Sequence, residues 1–178
     1  MPTLPTDDLL FLDETGIHTA MSRDYGRSRR GTRLVEARRT RPKPKEKFTL
    51  VAAMGLSGFV APWQLEGALT GEAFRVYVTA VLLPELRPGQ IVVMDNLSCH
   101  KVAGIEEAFA AAGVQLLYLP PYSPEFSPIE EAWSKVKARL RALAARSVEA
   151  LQDALVKALD TVSEADIQGW FGHAGYLI

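Results

Sequence analysis

The stretch Leu119-Pro120-Pro121-Tyr122-Ser123-Pro124-Glu125-Phe126-Ser127-Pro128-Ile129-Glu130-Glu131-Ala132-Trp133 limits what this chain can fold into more than any other. Pro120, Pro121 and Pro124 each hold φ near about −65° and remove a backbone donor, so the segment is neither strand nor helix. Ser127 reads as a helix N-cap and Pro128 as the first helical residue, where its missing N–H is not needed. From there Ile129, Ala132, Trp133, Val136, Leu140 and Leu143 recur at helical spacing and mark a buried stripe. The turn thus delivers two acids to the start of an amphipathic helix. At about 100° per residue, Glu130 flanks the stripe and Glu131 points to solvent, with Lys135 four residues on as an ion-pair partner. Ser127 and Glu130 also fit a capping box, which needs no chemistry. Trp133 lies on the stripe and reads as core.

Two more acids end apolar runs. Leu9-Leu10-Phe11-Leu12 leads to Asp13, and Ile91-Val92-Val93-Met94 leads to Asp95, the pattern of strands buried on both faces. Asp13-Glu14-Thr15-Gly16 is expected to close the first strand. Phe48 to Met54 and Phe59 to Glu66 read as an antiparallel pair joined at Gly55-Leu56-Ser57-Gly58. A helix capped by Thr70 is expected through about Leu86, another from about Val102 to Ala112 ending at Gly113, and a fifth strand over Val114 to Leu119. After the proline turn and its helix, Ser147 opens a last long helix to about Val162. The tail from Ile167, with Trp170, Phe171 and Tyr176, is expected to pack back on the sheet. The order implies an α/β domain with a five-stranded mixed sheet, helices on both faces, and strands 1 and 4 as parallel neighbours. Sites in such sheets lie beyond the carboxyl ends of strands where the order reverses, which is where Asp13 and Asp95 stand.

Charge is unevenly spread. The net charge is only −1, yet eleven of the 20 Lys and Arg lie between Arg23 and Lys47, against Asp24, Glu36 and Glu46. That basic insert, about residues 23–47, suits a phosphate-contacting surface, although a solvated loop has the same composition. Its candidate contacts are Arg27, Arg29, Arg30 and Arg33, then Arg38, Arg39 and Arg41, then Lys43, Lys45 and Lys47. Lys101, Lys135 and Lys137 extend the set. Most such contacts go to phosphate and carry little sequence information. The single Cys99 excludes an internal disulfide and fits a reducing cytoplasm, and three histidines with one cysteine make no zinc spacing. No apolar run reaches the roughly 18 residues of a membrane span, and the N-terminus lacks signal-peptide features.

Three carboxylates, Asp13, Asp95 and Glu130, are therefore candidates to converge. Unpaired, such a cluster repels itself and its pKa values rise, and a hard divalent cation resolves the conflict. Asp13-Glu14-Thr15-Gly16, Asp95-Asn96-Leu97-Ser98-Cys99-His100-Lys101, and the proline turn through Glu130 with Trp133 resemble the three signature blocks of Asp-Asp-Glu transposases. The resemblance is to the mariner-like bacterial insertion-sequence group, which uses the 34-residue interval found here between Asp95 and Glu130. It implies a ribonuclease H-like catalytic domain over residues 1–178 in which Asp13, Asp95 and Glu130 hold two Mg²⁺ (or Mn²⁺) ions. It further implies double-stranded DNA as partner: cleavage at transposon terminal repeats, then attack of the freed 3′-hydroxyl on target DNA, usually at TA, by a homodimer. Relatives carry a helix-turn-helix region ahead of the first aspartate, and only twelve residues stand there in this chain, so a catalytic half is expected, with a separate N-terminal DNA-binding part. Ser127 stands where the family commonly has Asn. Glu14, Asn96 and His100 are candidates for supporting roles, and Tyr122 for stacking on a base or closing the turn. The competing readings are a catalytically silent DNA-binding or regulatory remnant, or a general ribonuclease H-like nuclease.

Overall fold

The computed structural model describes residues 5–23, 28–33, 46–121 and 123–177. Its five-stranded sheet has the order β3-β2-β1-β4-β5, with β1 Leu9–His18, β2 Lys47–Gly55, β3 Gly58–Glu66, β4 Ile91–Met94 and β5 Gln115–Tyr118. β1, β2 and β3 are antiparallel to one another in turn, while β4 runs parallel to both β1 and β5. The expected parallel contact between the first and fourth strands is present. Both central strands are apolar at successive positions because each of their faces is covered.

Strand alternation divides those residues between two cores. Leu9, Phe11 and Val93 face α3 (Pro128–Leu143), α4 (Val148–Leu159) and α5 (Glu164–His173). Leu10, Leu12, Val92 and Met94 face α1 (Gly71–Val76) and α2 (Ile105–Ala111). The same parity carries past the apolar run and sends Asp13 to the α3 side and Glu14 to the α1 side.

Several expectations about boundaries are corrected. The first strand does not close at Asp13–Gly16 but continues to His18, because β2 pairs with it as far as Ile17↔Phe48 and His18↔Lys47. Asp13 therefore sits in mid-strand, facing the gap left where its parallel neighbour β4 stops. The helix capped by Thr70 is α-helical only to Val76. It widens into a π turn over Tyr77–Leu82 and ends in a 3₁₀ turn, Leu83–Glu85. Pro84 has no N–H to offer the carbonyl of Ala80, so the ladder is re-laid ahead of it. The expected Val102 helix starts only at Ile105, after Gly104 at φ +90°, and stops at Gly113 with φ +71°. The helix opened by Ser147 is α4 and ends at Leu159, and the tail adds a further helix, α5, opened by a capping box between Ser163 and Asp166.

On α3 the expected stripe is buried at Ile129, Ala132, Trp133, Val136 and Leu140. Ser127 is the N-cap residue, but its side chain accepts no capping hydrogen bond, so the capping box with Glu130 does not form. Lys135 does not pair with Glu131. It reaches Asp166 on α5 at 2.5 Å, while Glu131 is exposed and lies 3.8 Å from His173. The tail packs as expected: Phe171 meets Phe11 edge-on at 5.4 Å, Tyr176 packs at 5.0 Å from the same ring, and the Tyr176 hydroxyl donates to the Phe126 carbonyl at 2.8 Å. Among the described residues no helix is long and apolar enough to cross a membrane.

Trp133 is 2% exposed and stacks on Phe59 at 5.1 Å, tying α3 to β3 across the sheet. Truncating a buried aromatic of this kind costs about 3–5 kcal/mol. Trp133→Ala is expected to lower urea-unfolding stability by that amount. Trp133→Phe, which also removes the buried and unpartnered indole N–H, is expected to lower it by less.

Candidate active site

The parallel register sets the site. Leu12 and Met94 are paired residues of β1 and β4, so Asp13 and Asp95 follow at the same level on adjacent strands. β5 ends beside them, and its next residue, Leu119, still donates to the Met94 carbonyl at 2.8 Å before the prolines turn the chain. The 3₁₀ turn Pro124–Phe126 leads into α3, whose first turn bears Glu130. Asp13, Asp95 and Glu130 consequently line one cavity of about 440 Å³, walled by Leu12, Leu119 and the prolines of the turn. The three acids that the chain holds far apart in sequence are brought together.

Their electrostatics are those of a crowded anionic site. Burial, then the charges of Glu130, Glu14 and Asp95, push the Asp13 carboxyl up to about 8, against an opposing pull from the Glu14 backbone N–H. Asp95 moves the other way: burial alone would raise it, but His100 and the Leu97 N–H hold its carboxyl below the usual range. The Leu97 N–H donates to Asp95 Oδ1 at 3.2 Å, and His100 Nδ1 stands 2.6 Å from the same oxygen, too oblique for an aligned hydrogen bond. Both contacts fall on Oδ1, so Oδ2 is the oxygen left for a ligand.

His100, one of the candidates for a supporting role, is 0% exposed, in a 3₁₀ turn over Ser98–His100, with Nε2 3.1 Å from Glu14 Oε2 and its ring 4.5 Å from that of Phe74. Burial opposes its charged form, but the Asp95 and Glu14 carboxylates outweigh that and raise it to about 9. Cys99 Sγ joins Glu14 and His100 in a cluster whose ligand atoms lie within 4.8 Å of one another. Glu14 thus belongs behind the cavity, whereas Asn96 and Lys101 line it. Lys101 also lies 5.5 Å from the centre of the Tyr118 ring.

Of the basic candidates, Arg29, Arg30, Arg33 and Lys47 are exposed, Lys137 is half-buried on α3, and Lys135 is engaged by Asp166. Arg27, Arg38, Arg39, Arg41, Lys43, Lys45 and also Tyr122 lie outside the described residues. Hydrophobic patterning carries no signal for the His100 contacts, because they join residues 14 and 100 through the packing of the turn against the sheet.

Three carboxylates offer only hard oxygen donors, and the burial and like charge that raise Asp13 are what a divalent cation would offset. The donor set therefore fits Mg²⁺ or Mn²⁺.

The sheet order and two-sided helical packing make this a ribonuclease H-like fold, one it shares with solved transposase structures. The chain resembles the crystal structure of the Mos1 strand transfer complex with a TM-score of 0.71 and 17% identity, over 95% of this chain and 52% of that one. The mariner Mos1 paired-end complex with Mg gives 0.68 and 17% (93% and 53% covered), and the isolated catalytic domain of Mos1 mariner transposase 0.62 and 13% (94% and 80%). The chain spans about half the length of the protein in those complexes. A sequence search of curated proteins finds no match. Residues 8–152 match the DDE superfamily endonuclease family, and the chain belongs to it.

Asp13 also makes metal-free stability depend on pH. Its native pKa of about 8 lies above the usual aspartate value, so between about pH 4 and 8 the unfolded chain has released a proton that the native state retains. Stability from this group therefore falls as pH rises through that window. Metal-free Asp13→Asn is expected to melt above the unsubstituted protein at pH 8.5, with a smaller gap at pH 5, measured by thermal denaturation in chelator.

Proposed function

We propose that residues 1–178 are the catalytic domain of a DNA transposase of the mariner-like group. In this reading the domain cuts DNA at transposon ends and transfers the freed 3′-hydroxyl into target DNA. The observation that carries it is the convergence of Asp13, Asp95 and Glu130 on one cavity at the end of the parallel strands. Family membership and the likeness to Mos1 complexes support the same reading.

Asp13, Asp95 and Glu130 would hold two Mg²⁺ or Mn²⁺ ions. Such ions activate an attacking oxygen and stabilise the departing one in a phosphodiester displacement. The chain's own residues would do the rest. The apolar wall of Leu12, Leu119 and the prolines excludes bulk water from one side of the reacting phosphate. Asn96 and Lys101 line the same space, and their amide and ammonium groups would contact phosphate oxygens. Arg29, Arg30, Arg33 and Lys47, with the rest of the basic insert, would track the DNA backbone.

In the first step water attacks the end phosphodiester, breaking the P–O3′ bond and leaving a 3′-hydroxyl and a 5′-phosphate. In the second that 3′-oxygen attacks a target phosphorus, displaces the target's 3′-oxygen, and loses its proton to solvent. No covalent enzyme–DNA intermediate is needed. Terminal-repeat recognition would come from a separate N-terminal DNA-binding part, the target would be TA, and the DNA-bound form a homodimer.

The test is nicking of supercoiled plasmid with Mg²⁺ or Mn²⁺. Supporting partners of a metal site cost about 10–100-fold when removed. Asp95→Ala and Glu130→Gln are therefore expected to lose more than about 100-fold, while exposed Glu131→Gln stays near the unsubstituted rate. Equal activity in all of them would overturn the assignment, and metal-independent, salt-sensitive binding without nicking would favour a silent remnant.

A further inference from the structure

Asp95 stands one residue past the end of β4, where no ladder bond of its own holds it. Its carboxylate is nonetheless held. Leu97 N–H and His100 Nδ1 both meet Oδ1, at 3.2 and 2.6 Å. His100 is in turn held from the far side by Glu14 Oε2 at 3.1 Å and by the Phe74 ring at 4.5 Å. The turn bearing it is pressed by α1 so closely that a Cβ on Gly71 would come within 2.5 Å of Val102 Cγ2. Alternation along β1 is what makes this possible. Asp13 projects into the cavity, and its neighbour Glu14 projects behind, onto the side of the sheet where His100 is buried. A wholly buried imidazole facing two carboxylates, whichever nitrogen carries the proton, has no freedom to turn away from either.

We propose that Glu14 and His100 are a positioning pair that locks the Asp95 side chain so that Oδ2 is presented to the cation shared with Asp13 and Glu130. This rests on the metal-dependent reading above. In it Glu14 acts through His100, and neither residue touches DNA or metal. Ligand carboxylates oriented by buried partners in this way bind metal more tightly because the ligating geometry is set beforehand.

The experiment is Mn²⁺ binding by the full chain without DNA, followed by electron paramagnetic resonance of the free ion, beside circular dichroism and nicking at rising Mn²⁺. Mn²⁺ is the probe because Cys99 Sγ lies with Glu14 and His100, where a softer ion would bind directly. His100→Ala is expected to weaken Mn²⁺ binding about 10–100-fold and to recover most of its nicking rate at saturating Mn²⁺. His100→Gln should lose less. Glu14→Gln should weaken binding in the same direction, and the Glu14→Gln/His100→Ala double variant should be no worse than His100→Ala alone, since the two residues act in series. Should His100→Ala fail to fold, Glu14→Gln decides alone. Unchanged Mn²⁺ affinity in Glu14→Gln and His100→Gln, with affinity lost in Asp95→Ala, would overturn the positioning pair and leave the metal site standing. Unchanged affinity in Asp95→Ala would overturn both.

Discussion

Everything at the candidate site depends on one constraint: β1 and β4 are parallel and in register at Leu12 and Met94, so two acids emerge level with each other at a buried sheet end. Parallel pairing requires both strands to be covered on both faces, and the two cores supply that cover with helices on either side. Only within such a sheet does the end of a short strand become a recess. β4 stops four residues after it begins, while β1 runs on in its pairing with β2, and the resulting step is the floor of the cavity. α3 then closes the step with Glu130, held by a turn too stiff to wander.

Packing carboxylates into that recess is costly, and the protein answers in two different ways. On the cavity side, among the described residues, only the Glu14 backbone N–H favours the charged form of Asp13, whose carboxyl is driven to about 8 by burial and by its acidic neighbours. On the opposite side a buried histidine sits between Asp95 and Glu14 and helps hold the Asp95 carboxyl below its usual range. One strand therefore carries two adjacent acids in different surroundings, Asp13 among other carboxylates and Glu14 against His100. The asymmetry is a consequence of pleating, since successive side chains point to opposite faces. It leaves an excess of carboxylates where a cation is useful, beside a buried histidine contact where rigidity is useful.

Helices and strands were largely legible in residue order because each is governed by short-range patterns. The apolar runs at Leu9–Leu12 and Ile91–Met94, the stripe of α3, and the Thr70 and Ser147 caps all appear as expected. Errors arose where a neighbour in space overruled a neighbour in sequence. Lys135 has Glu131 one turn away but pairs with Asp166 of α5, which packs alongside. β1 outruns its turn-like Asp-Glu-Thr-Gly because β2 offers a further run of backbone partners. The separate α5 was readable after all, since Ser163-Glu164-Ala165-Asp166 carries a capping pattern, with an aspartate in place of the usual glutamate.

The residue order alone singled out the candidate side chains: three acids at apolar-run ends or at a proline-capped helix start, and a basic insert of a composition suited to phosphate. Those features are local, because propensity, alternation and proline stiffness act over a few residues. Which acids share a cavity, which one is left unbalanced, and that His100 is buried between Asp95 and Glu14 were decided only by folding. These are facts of distance between residues as far apart as 14 and 100, and distance of that kind is set by sheet register and core packing, to which no short window of sequence has access.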